Sequence, residues 1–271
     1  KAFPDLCHMR VIITAATSGE WMPSYQKINP LFSAPRKGFS VGFHESGIGL
    51  LASSVSLMKM LVQETPALII QVGICGSFDK KIDLGKVFAV KDDFVGDIGV
   101  TENKVWKDLF DLKLDKPHDV PYEKKSLPNP WLQQYNILRL PTKKAVTVNT
   151  ITTEKNKIDL YQGRYKAALE SMEGAALHYI CRDVNIPFIQ IRSVSNYVGE
   201  RNKAHWKMKE AIYQLNETLL KLTSENKEIR NSLECLQYEI QEFEEKNLNL
   251  TKDKKLLENL IGKVVKSFHN R

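Results

Sequence analysis

The run Ile186-Pro187-Phe188-Ile189-Gln190-Ile191 is almost continuously apolar and reads as a buried strand rather than a half-exposed one. It breaks directly into Arg192-Ser193-Val194-Ser195-Asn196. Arg192, Ser195 and Asn196 therefore fall at the carboxyl end of a strand, where open α/β sheets place their ligands. Further strand-like runs at Arg10–Ala16, Ala67–Val72 and Val87–Val90 alternate with helix-like runs at Leu50–Gln63, Glu170–Val184 and Lys207–Leu222. Such alternation implies an α/β fold with a parallel or mixed sheet covered on both faces. The stretch Lys113–Pro141 holds five prolines and few periodic apolar residues, so a long loop or insertion is expected there.

From Leu222 the pattern changes. One frame runs Leu222, Asn226, Ile229, Leu233, Leu236, Ile240, Phe243, Asn247, Leu250, Lys254, Leu257, Ile261, Val264, Phe268. Its steps alternate four and three, the heptad signature of a coiled coil. Eleven of the fourteen seam residues are apolar; Asn226, Asn247 and Lys254 interrupt them, as register-setting residues do. Acids dominate residues 225–245 and bases residues 246–271, which suits the helix dipole. The expected division is an extension at residues 1–8, a domain at 9–222 and a coiled-coil tail at 223–271 that can take a coiled-coil partner.

The bulk numbers exclude several classes. No window reaches the roughly 18 uninterrupted apolar residues of a membrane span, and Lys1–His8 is too short and polar for a signal peptide. Cys7, Cys75, Cys181 and Cys235 form no C-x-x-C pair, so neither a metal site nor a disulfide framework is expected, and a reduced cytoplasm is the default. The net charge of +7 comes from dispersed lysines rather than a basic run interleaved with aromatics. Neither a nucleic-acid nor a membrane partner is expected, and an anionic small substrate is compatible with the charge.

Four polar segments stand out. Ser171-Met172-Glu173-Gly174-Ala175-Ala176 sets one carboxylate before small residues that allow close packing. Val11-Ile12-Ile13-Thr14-Ala15-Ala16-Thr17-Ser18-Gly19-Glu20 runs from a buried strand into a turn with an acid. Ser46-Gly47-Ile48-Gly49 and Gln71-Val72-Gly73-Ile74-Cys75-Gly76-Ser77 are glycine turns after strands. Taken singly, Glu173 is a helix-terminal acid, Glu20 a loop acid, Asn196 a turn residue and Cys75 a small buried residue.

Together, over about Met9 to Leu222, these segments resemble the nucleoside phosphorylase and nucleosidase superfamily. Within it they are similar to the hydrolase branch of methylthioadenosine nucleosidases and futalosine hydrolases, and most of all to the latter. The resemblance implies a three-layer αβα fold with a central mixed sheet, and an enzyme that cleaves an N-glycosidic bond without metal or organic cofactor. It implies a homo-oligomer, because the family builds part of each site from a neighbouring subunit. Met172 would pack on the sugar and Glu173 bind its hydroxyls and stabilise the ribosyl cation. Glu20 would be the general base for water, with Ser46 and Arg192 helping to hold it. Gly76 would lie on the purine side, beside Ser195 and Asn196.

Asn196 bears on the base. An acid at this position serves the adenine-specific relatives, whereas an amide donates to a 6-oxo oxygen and accepts from a protonated N7. Hypoxanthine is therefore favoured over adenine as the base, and the resemblance to the futalosine hydrolases implies futalosine as the substrate. Arg201 and Lys203, in Tyr197-Val198-Gly199-Glu200-Arg201-Asn202-Lys203, are candidate partners for its benzoate, and Asp93-Phe94-Val95-Gly96-Asp97-Ile98-Gly99 is assigned to the loop walls. The rival readings are a 6-oxopurine nucleoside phosphorylase, an adenine-specific nucleosidase, and an interaction protein whose tail is the functional part.

Overall fold

The computed structural model describes residues 9–32 and 39–223; the expected extension at residues 1–8 and the heptads beyond residue 223 lie outside them. The first half runs β1 (Met9–Ala15), α1 (Met22–Phe32), β2 (Phe39–Glu45), α2 (Leu50–Gln63), β3 (Leu68–Ser77) and β4 (Val87–Val95), with α1 an addition to the expected elements. The hairpin β5 (Gly99–Glu102) and β6 (Val105–Asp108) follows, then β7 (Leu127–Pro128), α3 (Leu132–Tyr135), β8 (Thr142–Thr147) and α4 (Lys155–Leu160). The chain continues through β9 (Leu169–Ser171), α5 (Gly174–Asp183) and β10 (Phe188–Tyr197) into α6, residues 208–223.

The sheet is mixed, in the order β10-β4-β8-β9-β3-β1-β2, with β7 on β4. Strand β10 also pairs with β3, so β3, β9, β8, β4 and β10 close on themselves while β1 and β2 extend the sheet. Alternate residues of the buried strands feed two cores. Val11, Ile13, Ile70, Val72, Ile189 and Ile191 pack with Trp21, Ile28 of α1 and Leu215, Leu219 and Leu222 of α6. Ile12, Ile69 and Phe188 face the other way, onto Leu57 and Met60 of α2 and Leu177, Ile180 and Cys181 of α5. Helices thus cover both faces, and the partial closure of the sheet departs from a simple three-layer stack.

Three expectations need correction. The helix-like run Glu170–Val184 is strand β9 followed, after Met172 and Glu173, by α5. Its first residues pair with β3 and β8, and that pairing overrides the helical periodicity. Within Lys113–Pro141 the chain forms β7 and α3 rather than one loop. The Asp93 segment is not loop wall where it begins: Asp93 and Phe94 lie inside β4, with Asp93 fully buried.

No helix among the described residues is long and apolar enough to cross a membrane.

Candidate active site

Strands β1, β3 and β10 are parallel, so their carboxyl ends open on one side of the sheet. A cleft of about 350 Å³ lies there, lined among others by Glu20, Gly76, Glu170, Met172, Glu173 and Asn196. Its outer wall is apolar, from Ile48, Ile151, Trp206, Met208 and Ile212.

Glu20 ends the short turn after β1 and is 8% exposed. Its Oε1 accepts from the Ile74 N–H at 3.0 Å and its Oε2 from the Thr17 N–H at 3.1 Å. Burial pushes its pKa up, the nearby Glu173 adds to this, and Arg192 with the two N–H groups opposes it. Such a carboxylate is a stronger proton acceptor than one in water.

Glu173 sits immediately before α5, makes no side-chain capping bond to it, and is 6% exposed. Its Oε1 accepts from the Gly49 N–H at 3.2 Å. Gly49 has φ +87°, a left-handed conformation that glycine adopts without strain. The Ser46–Gly49 turn is thereby bound to the carboxylate. The Glu173 Oε2 stands 3.6 Å from Arg192 Nη1.

Arg192 is 1% exposed and set behind the cleft wall. Its Nη2 donates to Gln71 Oε1 at 2.9 Å. It is opposite Gly73 in the β3–β10 register. A Cβ at Gly73 would overlap Arg192 Nη1 and stand 3.1 Å from Glu20 Oε1, so that glycine makes room for guanidinium and carboxylate together. In the amide orientation that satisfies its neighbours, the Gln190 oxygen accepts from Arg192 Nε at 3.0 Å, and its nitrogen donates to His178 Nε2 at 2.8 Å and Asp93 Oδ2 at 3.2 Å. The buried guanidinium is thus held by two amide oxygens and one carboxylate.

A β-bulge places Asn196, rather than Ser195, opposite Gly76, and bulges of this kind re-aim a side chain. The Ser195 hydroxyl donates to Asn196 Oδ1 at 2.8 Å and to the Cys75 carbonyl at 3.2 Å. Asn196 Nδ2 donates to the Tyr197 carbonyl at 3.1 Å. Each amide atom keeps capacity for one more hydrogen bond. The ordering also fixes the amide's sense: Oδ1 faces a donor and Nδ2 an acceptor.

The structure thus brings Glu20, Gly76, Met172, Glu173, Ser195 and Asn196 to one cleft, with Arg192 directly behind it. Ser46 is apart. It is buried, it is not on the cleft wall, and its hydroxyl donates to the Ala15 carbonyl at 3.2 Å. Cys75 lies on the wall, but burial pushes its thiol up to about 12, so it packs rather than attacks. Arg201 stacks on Trp206 at 5.5 Å, and Lys203 is exposed on the adjoining turn.

Sequence reasoning missed Glu170, Gln71, Gln190 and His178. Glu170 was hidden in an expected helix. The other three interrupt apolar runs with groups that burial penalises unless paired, and that interruption was the available signal.

A family model described as the phosphorylase superfamily matches residues 37–225. The futalosine hydrolase of Thermus thermophilus is 26% identical over 191 residues, covering 70% of this chain and 84% of that protein. The 5'-methylthioadenosine/S-adenosylhomocysteine nucleosidase of Bacillus cytotoxicus is 24% identical over 179 residues, covering 61% and 74%. Among solved structures, the native futalosine hydrolase of Helicobacter pylori strain 26695 superposes with a TM-score of 0.60 at 16% identity, over 80% of this chain and 98% of that one. That structural likeness speaks for the fold. The match of the family model over most of the chain establishes that the protein belongs to the phosphorylase superfamily.

Proposed function

We propose that the chain hydrolyses the N-glycosidic bond of futalosine, releasing hypoxanthine and dehypoxanthinyl futalosine, a step of the futalosine route to menaquinone. The observation that carries this reading is the grouping of two buried carboxylates, Glu20 and Glu173, around Arg192 in a cleft that also holds Asn196.

Water attacks the anomeric carbon and passes a proton to Glu20, whose burial raises its basicity. The electron pair of the carbon–N9 bond leaves with the base. Glu173 accepts hydrogen bonds from the ribose hydroxyls, and its charge favours the cation that develops on the sugar. Arg192 offsets the repulsion between the two carboxylates, and Met172 packs against the ribose. Asn196 donates to the 6-oxo oxygen through Nδ2 as negative charge develops on the departing base, and accepts through Oδ1 once N7 has taken a proton from solvent. The negative charge of the leaving base is therefore met by a fixed donor. Ser46 acts here by holding the turn that presents Gly49 to Glu173. Arg201, stacked on Trp206 at the cleft wall, offers a cation for the benzoate end.

In this reading the active form is a homodimer. Its support is an exposed apolar stripe on α2 that starts beside the cleft.

The test is base release from futalosine, inosine and methylthioadenosine, each with and without phosphate, followed by chromatography. Phosphate-independent hypoxanthine from futalosine, with little adenine from methylthioadenosine, is expected. Turnover that requires phosphate and yields a sugar 1-phosphate would make the chain a phosphorylase. Adenine as the main product would overturn the role given to Asn196.

A further inference from the structure

Gln190 is fully buried in β10, between the apolar Ile189 and Ile191. A buried amide is costly unless its donors and acceptor are paired. Its surroundings admit one orientation. His178 Nδ1 lies 2.7 Å from the Leu127 carbonyl, which only accepts, so that nitrogen holds the ring proton. Burial pushes the ring down to about 3, so it is neutral and its Nε2 is an acceptor. Asp93 Oδ1 takes the Thr147 hydroxyl and the Phe94 N–H, and its Oδ2 is a further acceptor turned to Gln190. Two acceptors on one side require the Gln190 nitrogen there, at 2.8 Å from His178 and 3.2 Å from Asp93. The amide oxygen is left facing Arg192 Nε at 3.0 Å. A reversed amide would set oxygen against two acceptors and nitrogen against a donor. Gly174 belongs to the same arrangement, since a Cβ there would overlap the Gln190 amide and Asp93 Oδ2. The residue that follows Glu173 must therefore lack a side chain.

The consequence reaches the site through one guanidinium. Gln190 pairs with Gln71 in the β3–β10 register, and Arg192 pairs with Gly73 two residues on. The two amide oxygens take Nε and Nη2 of Arg192, which fixes the plane of the group. Nη1 is then the nitrogen turned to the carboxylates. It stands 3.6 Å from Glu173 Oε2 and occupies the space over Gly73 that Glu20 Oε1 also borders. Neither glutamine lines the cleft.

We infer that Gln190 is a positioning residue: its amide, oriented by His178 and Asp93, holds Arg192 so that Nη1 stays beside Glu20 and Glu173. This rests on the proposed hydrolase reading and deepens it. The charged groups facing Glu20 are Arg192, which lowers its pKa, and Glu173, which raises it. A guanidinium that turns away leaves the two carboxylates to repel each other, and Glu20 then binds its proton at higher pH. The carboxylates also lose their alignment with water and sugar, and small misplacements near a reacting centre cost up to about 10²-fold in rate.

The experiment follows phosphate-free hypoxanthine release from futalosine across pH by the wild type, Gln190→Met, Gln190→Leu and Gln190→Glu. Thermal melts verify folding. Methionine and leucine fill the space of the amide and offer Arg192 no acceptor, whereas glutamate keeps an acceptor at Nε. Gln190→Met and Gln190→Leu are expected to lose about 10- to 100-fold in kcat, with KM close to that of the wild type. Their acid limb of kcat/KM is expected at higher pH. Gln190→Glu is expected to retain more kcat than either and to move the limb the same way, because its charge competes with Glu20 for Arg192. A residue that merely packs gives the reverse order, since an apolar residue of similar size is tolerated and an added buried charge beside Asp93 is not. That reverse order, or a limb unmoved in whichever variants fold, would overturn the role of Gln190 and leave the hydrolase reading standing. A wild type that releases no hypoxanthine without phosphate would overturn both.

Discussion

Glu20 has to stay charged in a place that disfavours charge. Burial is the largest influence and raises its pKa, Glu173 pushes the same way, and Arg192 with the Ile74 and Thr17 N–H groups pulls back without cancelling the rise. As general base it works only when ionised. The sign follows: kcat/KM falls as pH drops through a pKa that lies above the ordinary glutamate range. The acid limb of the wild-type profile is therefore expected at higher pH than a solvated glutamate would give. Glu20→Gln keeps an acceptor for one of the Ile74 and Thr17 N–H groups, sets an amide nitrogen against the other, and cannot take a proton. It should lower kcat/KM by about 10²- to 10⁴-fold and abolish that limb. A pH–rate profile of both proteins checks this. A limb that survives in the variant would assign it to another group, with Glu173 next to be tested.

Strand β10, together with β4 and helix α5, builds the support behind the site. Thr147 Oγ1 and the Phe94 N–H donate to Asp93 Oδ1 at 2.9 and 2.8 Å. Gln190 joins Asp93 to His178, whose Nδ1 donates to the Leu127 carbonyl at 2.7 Å. Burial pushes Asp93 up to about 6 and His178 down to about 3. The two have opposite consequences for stability. The unfolded chain protonates its histidine first, so the stability tied to His178 is full above about pH 6.5 and is lost as pH falls towards 3. For Asp93 the folded state binds its proton first, so its contribution is full below about pH 4 and is lost as pH rises through about 6. Between pH 6 and 4 they offset each other. Asp93→Asn removes one side of that balance. Its stability relative to wild type should then fall by about 1.4 kcal/mol for each pH unit below 6. Denaturant unfolding at pH 6, 5 and 4 tests the slope; parallel slopes would show that the two groups do not balance. The same elements explain what could be read from the chain. Met172-Glu173 and Arg192 to Asn196 carried their chemistry in contiguous sequence, so the cleft was legible there. Glu170 and Asp93 were not, because each owes its meaning to a strand pairing: Gly76 with Glu170, and Ala145 with Asp93. Nothing local marks a three-residue strand inside an apparent helix. The alternation of strands and helices was legible, but the closure of β10 onto β3 joins segments more than a hundred residues apart and leaves no local trace.

At the scale of the molecule, one face of α2 is apolar yet open to solvent. Leu51, Val55, Met58 and Val62 are 79%, 46%, 43% and 83% exposed. Their spacing of four, three and four puts them on one helix face. A shallow depression of about 490 Å³ lies along Val55, Met58 and Val62. Under the proposed dimeric reading this stripe is the association surface. It begins one turn beyond Ile48, which lines the cleft and is 62% exposed, and Gly49 in the same turn binds Glu173. A second copy seated on α2 would cover the open side of the cleft and hold that turn in place, which links assembly to catalysis. The heptads beyond residue 223 are the competing source of association, so the two must be separated. Sedimentation velocity on the full chain is expected to show a dimer that survives removal of residues 224–271. Val62→Glu, on that shortened chain, should yield a folded monomer with reduced kcat/KM. A shortened chain that is already monomeric at full activity would assign the assembly to the heptads and leave the α2 face without a role in the site.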